Sequence, residues 1–258
     1  MNDKIGIVIT TFLREELLVK SLESLLQNKP DNCEVIILNQ GNAGVELVHY
    51  ISGHVLGSNY YMLPFNCGLS YARNFGVLKA KELGCEYVFL SSDSFLFNES
   101  FKKINDTIPL LDTYGLVGFD LLNSTCRWEG KLNLIEGESF EIDFADPKDT
   151  KLVNNIDVLE CECMRNCFLA KTDTLLNNKW DEDLLLGEHE SFMYELKLAG
   201  FLNCWTKYIS LEKMTDRPVE YLKYRKTNFK AGIINVLKKY NLKTWITYKN
   251  HRFCNIQT

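Results

Sequence analysis

The stretch Glu86–Phe97 reads EYVFLSSDSFLF. Four apolar residues, Tyr87-Val88-Phe89-Leu90, stop abruptly at Ser91-Ser92-Asp93-Ser94. A short apolar run of this kind reads as a buried strand, and the small polar residues after it read as the mouth of a site. In open α/β sheets, ligands bind outside the carboxyl ends of the strands. Asp93 is therefore the carboxylate predicted to meet a ligand or a metal.

The chain on the N-terminal side of this stretch repeats the same grammar. Lys4–Thr11 is a β-rich run closed by Thr10-Thr11, and Arg14–Gln27 then carries Leu17, Leu18, Leu22, Leu25 and Leu26 at helical spacing. Cys33–Leu38 is a second strand ending at Asn39-Gln40-Gly41, a short helix covers Val45–Ser52, and Asn59–Leu63 is a third strand. Leu69–Leu83 is a helix stopped by Gly84. Strands alternating with helices predict an α/β domain with a Rossmann-like, mixed but mostly parallel sheet flanked by helices. The polar strand ends Thr11, Asn39, Asn66 and Asp93 then share one edge, enough for a nucleotide-sized site.

Beyond Phe97 the rhythm changes. Glu99–Leu111 reads as helical, Tyr114–Leu121 as a strand, Trp128–Phe144 as hairpins around Gly130 and Gly137, and Asp157–Ala170 as strand pieces. A helix follows at Glu188–Leu198, a late strand at Cys204–Leu211, and a basic helix or pair of helices at Arg217–Tyr240. The expected domains are 1–212 and a basic amphipathic extension, 213–258. From Lys213 to Arg252 eleven Lys/Arg face two acids, so the rest of a chain of net charge −5 carries −14. Such a tail predicts contact with something anionic.

Two classes are set aside by composition. The apolar run of MNDKIGIVITTF is short and is followed at once by Arg14-Glu15-Glu16, which fits neither a signal peptide nor a membrane span. Nine cysteines, an odd count lying mostly in apolar runs, predict reduced core thiols rather than a disulfide framework. The expected location is the cytoplasm, with the tail as a candidate contact at the inner face of the membrane.

Four pieces in order carry a family resemblance. They are Val8-Ile9-Thr10-Thr11-Phe12-Leu13-Arg14; Asn66-Cys67-Gly68-Leu69-Ser70-Tyr71-Ala72-Arg73-Asn74; Leu90-Ser91-Ser92-Asp93; and Trp180-Asp181-Glu182-Asp183 running into Gly187-Glu188-His189-Glu190-Ser191-Phe192. Together, over residues 4–212, the chain resembles the inverting GT-A fold glycosyltransferases, family 2-like. The last piece is most similar to the β-1,4-N-acetylgalactosaminyl/galactosyltransferase branch. The resemblance implies transfer of a hexose or N-acetylhexosamine from a UDP-sugar to a glycan or glycolipid hydroxyl, as in capsule, lipopolysaccharide or other surface polysaccharide biosynthesis.

The resemblance also distributes roles. Thr10, Thr11 and Arg14 would cradle the nucleoside, and Asn39 would stand where the family has an Asp against uracil or ribose; Asn39 reads equally well as a turn residue before Gly41. Asn66, Gly68 and Ser92 complete the nucleotide-sugar site. Gly68 permits close backbone approach, and Arg73 suits a diphosphate, with a helix-surface arginine as the bland alternative. Asp93 would hold Mn²⁺ or Mg²⁺, which take oxygen ligands. Two departures stand out. Ser91, or Ser92 in the alternative register, replaces the first acid of the metal motif, leaving Asp93 either to hold the metal with diphosphate and water oxygens or to mark a weakened or metal-free site. Ile209–Lys213 lacks the family's histidine, Glu212 being the nearest candidate.

An inverting transfer needs a base on the acceptor side. By resemblance it lies in Gly187–Glu190, with Glu190 as base, Glu188 holding a hydroxyl, and His189 an alternative base near neutral pH. The bland alternative is an acidic first helical turn. Cys161-x-Cys163-x3-Cys167, with Cys126, invites zinc, but the spacing favours a buried sulfur stripe. Trp128 and Trp205 read as core or sugar-stacking aromatics. The tail reads either as an interfacial helix on anionic lipid, suiting a lipid-linked acceptor, or as a helix docked on the acidic body. Nucleic acid is not an expected partner, since no recognition motif accompanies the charge. A non-catalytic sugar-nucleotide or glycan-binding subunit is the alternative function. A nucleotidyltransferase would need a Gly-rich, Lys-bearing loop after strand one, which Thr10–Glu16 lacks.

Overall fold

The structure, a computed structural model, describes residues 3–54, 59–124, 129–144 and 148–246; within these, the side chains of residues 46, 54, 144, 226–231, 245 and 246 are outside the description. Its first part alternates as the sequence predicts: β1 (Ile5–Thr11), α1 (Glu15–Asn28), β2 (Cys33–Asn39), α2 (Val45–His54), β3 (Asn59–Met62), α3 (Leu69–Glu82) and β4 (Tyr87–Ser92). β1 pairs in parallel with β2 and β4, and β2 with β3, giving the order β3-β2-β1-β4. All seven residues of β1 are buried. A strand covered on both faces needs an unbroken apolar run, which explains why these segments do not alternate.

The second part is β5 (Phe95–Leu96), a run of 3-10 turns (Glu99–Asp112), β6 (Leu116–Leu122), β7 (Gly130–Ile135), β8 (Ser139–Phe144), β9 (Thr150–Val153), β10 (Ile156–Cys161), β11 (Phe168–Lys171), α4 (Thr172–Asn177), α5 (Glu188–Leu198), β12 (Asn203–Lys213), α6 (Val219–Lys239) and β13 (Thr244–Ile246). The main sheet continues β4-β11-β6-β12-β10-β9, and β5 pairs with the end of β12. β11 runs antiparallel to both its neighbours, while β12 is parallel to β6. The helical expectation for Glu99–Leu111 is met by 3-10 turns instead. Pro109 lies inside this run and cannot donate to an α-helical ladder. β7 and β8 form the expected hairpin, whose Gly137 has φ 71°. Trp128 and Cys126 lie outside the described residues.

The two faces of the sheet build two cores. Ile5, Ile7 and Ile9 of β1 face α1, α2 and the 3-10 run, through Leu18, Leu22, Leu47, Ile51, Phe101 and Ile104. Val8, Ile36 and Leu38 face α3, α5 and α6, through Ala72, Val77, Phe192, Met193, Ile233, Val236 and Leu237. The apolar stripe of the basic tail is thus in contact with the body. Lys239 Nζ adds ion pairs to Asp181 at 3.0 Å and Glu195 at 3.2 Å. β13 joins β8 in a separate three-stranded sheet. Among the described residues, no helix is long and apolar enough to cross a membrane.

Candidate active site

The chain steps from β1 outward to β2 and β3, then crosses back to β4 on the other side of β1. The crevice between the ends of β1 and β4 is therefore the topological switch point of the sheet, where ligands bind in open α/β folds. Thr10 is in register with Ser92 there. Asp93 follows directly and has no exposed surface. Its Oδ2 accepts from Thr11 Oγ1 at 2.8 Å, and its Oδ1 accepts from Ser92 Oγ at 3.1 Å and meets Arg14 Nη2 at 2.6 Å. Burial pushes the Asp93 carboxyl above the usual value, while the Arg14 guanidinium and the two hydroxyl donors oppose that.

A cavity of about 90 Å³ lies over these strand ends. Its floor comes from the motif residues Thr10, Thr11, Arg14, Asn66 and Gly68, together with Phe12, Gln40 and Leu69. Leu185 and Leu186 form one wall, and Tyr221, Tyr224 and Arg225 of α6 form the roof. The roof is packed in place. Tyr224 meets Phe12 and Phe65 edge-on, at ring distances of 5.4 and 5.7 Å, and the Arg14 guanidinium lies 4.4 Å from the centre of the Tyr221 ring. Gly68 has φ 91°, so its backbone calls for glycine; a Cβ on it would stand 2.9 Å from the Cδ2 of the exposed Leu185, which can turn aside.

Several residues singled out by sequence stand beside the cavity rather than in it. Asn39 is buried with both amide atoms engaged: Oδ1 accepts from the Gly41 amide at 2.8 Å and Nδ2 donates to Tyr60 Oη at 2.9 Å. That is the turn geometry, with the side chain folded back on its own loop. Arg73 does not line the cavity; its Nη1 meets Glu188 Oε1 at 2.8 Å, both side chains being nearly fully buried. Its neighbour Asn74 bonds the Trp180 backbone twice, donating to the carbonyl at 2.9 Å and accepting from the amide at 3.0 Å. The Arg73-Asn74 pair of α3 therefore clamps the segment Trp180–Glu188 onto the sheet. Trp180 stacks on Phe192 at 4.0 Å within the same core.

The clamp positions the start of α5. Gly187 turns the chain with φ 78°, and Glu188, His189 and Glu190 follow, all buried. Burial, then the neighbouring Glu188 charge, pushes Glu190 up to about 7, against the opposing charges of Arg73 and Arg225. His189 goes the other way: burial and the Arg73 charge push it down to about 3, and its Nε2 contacts the Met164 carbonyl. That contact needs Nε2 to carry a proton and fixes the ring, while burial and Arg73 favour its neutral form. Of the two candidate bases, Glu190 is tuned to neutral pH and His189 is not.

The residues present do not fit a divalent cation. Such an ion in a phosphate site needs one or two carboxylates with free oxygens, phosphate and water oxygens completing its shell. Here the one carboxylate has both oxygens engaged and a guanidinium beside it, and Ser91 and Ser92 offer hydroxyls where acids would stand. Among the described residues, no three His, Cys, Asp or Glu gather in a way that could hold a metal. Glu212 is exposed and pairs with Leu96. Cys161, Cys163 and Cys167 are buried, which pushes each thiol up. Trp205 is buried.

Two features of the cavity escaped sequence reasoning. Gln40 is 2 % exposed, and its Nε2 has no hydrogen-bond acceptor among the described residues. Its backbone is fixed on both sides, by Thr11 O at 3.0 Å and by the Asn66 amide at 2.8 Å. Only its place next to Asn39 hinted at a role. The α6 roof had no local signal, because nothing in Tyr221–Arg225 names the strand ends it meets.

Residues 6–115 match the family described as Glycosyl transferase family 2. A crystal structure of GalNAc-T7 with UDP, GalNAc and Mn²⁺ superposes with a TM-score of 0.64 and 13% identity, over 81% of this chain and 43% of that one. S. aureus TarS 1–349 gives 0.56 and 12% over 90% of this chain and 66% of that one, and its complex with UDP gives 0.54 and 12% over the same shares. The chain thus spans under half of the GalNAc-T7 chain and 66% of TarS 1–349. No curated protein matches by sequence. The order β3-β2-β1-β4, the match over residues 6–115 and these superpositions identify the fold as GT-A.

Proposed function

We propose that the chain is an inverting glycosyltransferase that moves a hexose or N-acetylhexosamine from a UDP-sugar to a hydroxyl of a surface glycan or glycolipid. The carrying observation is that two motif pieces far apart in sequence, Thr10–Arg14 and Asn66–Leu69, meet Leu185 and Leu186 around one cavity at the switch point, while Glu190 is buried outside its lining, at the start of the helix that follows Leu186. UDP in the TarS and GalNAc-T7 structures supports the choice of nucleotide. The donor would be UDP-GalNAc, UDP-GlcNAc or UDP-Gal, following the branch that the Trp180–Phe192 segment resembles.

In this reading the acceptor oxygen attacks the anomeric carbon, the bond from that carbon to the β-phosphate oxygen breaks, and its electron pair leaves with UDP. The acceptor proton passes to the Glu190 carboxylate, whose raised value suits a base working near neutrality. Glu188, held by Arg73, keeps Glu190 company as a second negative charge and contributes to that raised value. The GalNAc-T7 structure holds UDP, GalNAc and Mn²⁺; no step here runs through a metal, because this chain's donors do not fit one. If the acceptor is lipid-linked, the positive surplus after Lys213 suits an anionic membrane face.

The test is UDP release and product formation with the three donors, for wild type and Glu190→Gln. Transfer by the wild type and a loss of roughly 10²- to 10⁴-fold in the variant are expected. Equal turnover in both would remove Glu190 from its role. UDP binding without turnover on any donor or acceptor would favour a binding subunit, the reading that the complete burial of Asp93 supports.

A further inference from the structure

In GT-A sites that follow the two-acid motif, two carboxylates and a divalent cation sum to no net charge before the diphosphate arrives. This chain lacks the first acid, and a guanidinium stands beside the second. One carboxylate and one guanidinium also sum to zero. The loss of an acid to Ser91 and the presence of Arg14 at Asp93 therefore cancel.

The geometry around Arg14 carries this further. Nη2 is fixed on Asp93 Oδ1 at 2.6 Å, and Cζ lies 4.4 Å from the centre of the Tyr221 ring. Its Nε is buried and has no acceptor among the described residues, although the side chain lines the cavity. A buried charged donor without a partner costs free energy unless a ligand supplies the acceptor. Arg225 lines the same cavity, its Nη1 donating to Tyr221 Oη at 2.9 Å, so one tyrosine carries both guanidinium groups. The α3 N-terminus, Gly68-Leu69, reaches the cavity with no side-chain cap on its amides. Guanidinium groups bind phosphate oxygens through planar, charge-assisted hydrogen bonds.

We propose that this site takes a nucleoside diphosphate without a bridging metal, with the Asp93-anchored guanidinium of Arg14, assisted by Arg225, supplying the positive charge. This rests on the UDP-sugar reading of the same cavity. Asp93 is then a positioning residue for Arg14 and not a metal ligand.

The experiment is calorimetry of UDP binding to the full chain, in EDTA and in Mn²⁺. Wild-type affinity should agree between the two buffers within about threefold, less than 1 kcal/mol. Arg14→Lys retains a charge to pair with Asp93 but lacks the Nε donor, and should weaken UDP by about tenfold or more in both buffers. Arg14→Gln should lose at least as much, and a thermal melt shows whether it folds. Asp93→Asn should weaken binding less than Arg14→Gln and stay insensitive to Mn²⁺. Wild-type tightening of about tenfold or more by Mn²⁺, abolished in Asp93→Asn, would overturn the proposal and leave the UDP-sugar reading standing. Absence of UDP binding in both buffers would overturn the UDP-sugar reading, and the proposal with it.

Discussion

Glu190 and Gln40 show how single side chains take on chemistry from their surroundings. Glu190 sits at the start of a helix, where the dipole would favour a charged carboxylate, yet burial and Glu188 win and raise it to about 7. Activity should therefore rise with pH through about 7 as the base loses its proton. Stability should move the other way. The unfolded carboxyl titrates near the ordinary value of 4.5, so between 4.5 and about 7 the folded protein holds a proton that the unfolded chain has released. Stability falls across that window as pH rises. Glu190→Gln should flatten both trends and melt higher than wild type at pH above 7; a pH series of turnover and melting temperature checks it. Gln40 offers a buried amide donor to the cavity. Gln40→Leu keeps the bulk and removes the donor, and should weaken UDP by roughly tenfold. The melting temperature of the free protein should stay level or rise, since an unpaired polar group is removed. Unchanged UDP affinity would remove Gln40 from the site.

At the scale of elements, the site depends on two close approaches. α3 holds the Trp180–Glu188 segment through Arg73 and Asn74, which explains why that Arg-Asn pair belongs to the same site as residues over a hundred positions later. α6 rests on the other side of the same segment. A Cβ on Gly232 would stand 2.4 Å from Leu186 Cβ and 2.9 Å from Leu186 O. Alanine would gain up to about 1 kcal/mol in helix propensity, but backbone cannot yield cheaply, and overpacking costs about 1–3 kcal/mol. Gly232→Ala should therefore lower the melting temperature and weaken UDP together, because the roof residues Tyr221, Tyr224 and Arg225 move with their helix. A variant that melts lower yet binds UDP normally would uncouple the roof from the site.

At the scale of the whole molecule, α6 closes a cavity of about 90 Å³, whereas small-molecule pockets run to roughly 300–1,000 Å³. A nucleotide held there would lie against the first turns of α6, through Tyr221, Tyr224 and Arg225. Hydrogen exchange should report this. UDP is expected to slow exchange of the amides of 219–225 while those of β1 and β4, already buried in the sheet, stay unchanged. No change in 219–225 at saturating UDP would mean that the ligand enters elsewhere.

The first half of the fold was legible because its central strands β1, β2 and β4 are covered on both faces, so apolar runs ending in Thr11, Asn39 and Asp93 mark them without ambiguity. The site edge was legible for the same reason, since parallel strands put their ends together. The 3-10 character of Glu99–Asp112, the partner of Arg73 and the place of α6 were not. Each depends on which surfaces meet, and local composition does not encode that. By itself the sequence determined the alternating α/β plan, the glycosyltransferase-like motif order and the loss of the first acid at Ser91. Only the tertiary structure decided that Asp93 is neutralised by Arg14, that Gln40 rather than Asn39 faces the cavity, and that the basic tail lies over the site. A carboxylate's role is set by the charge beside it, and that charge comes from a loop seventy-nine residues away.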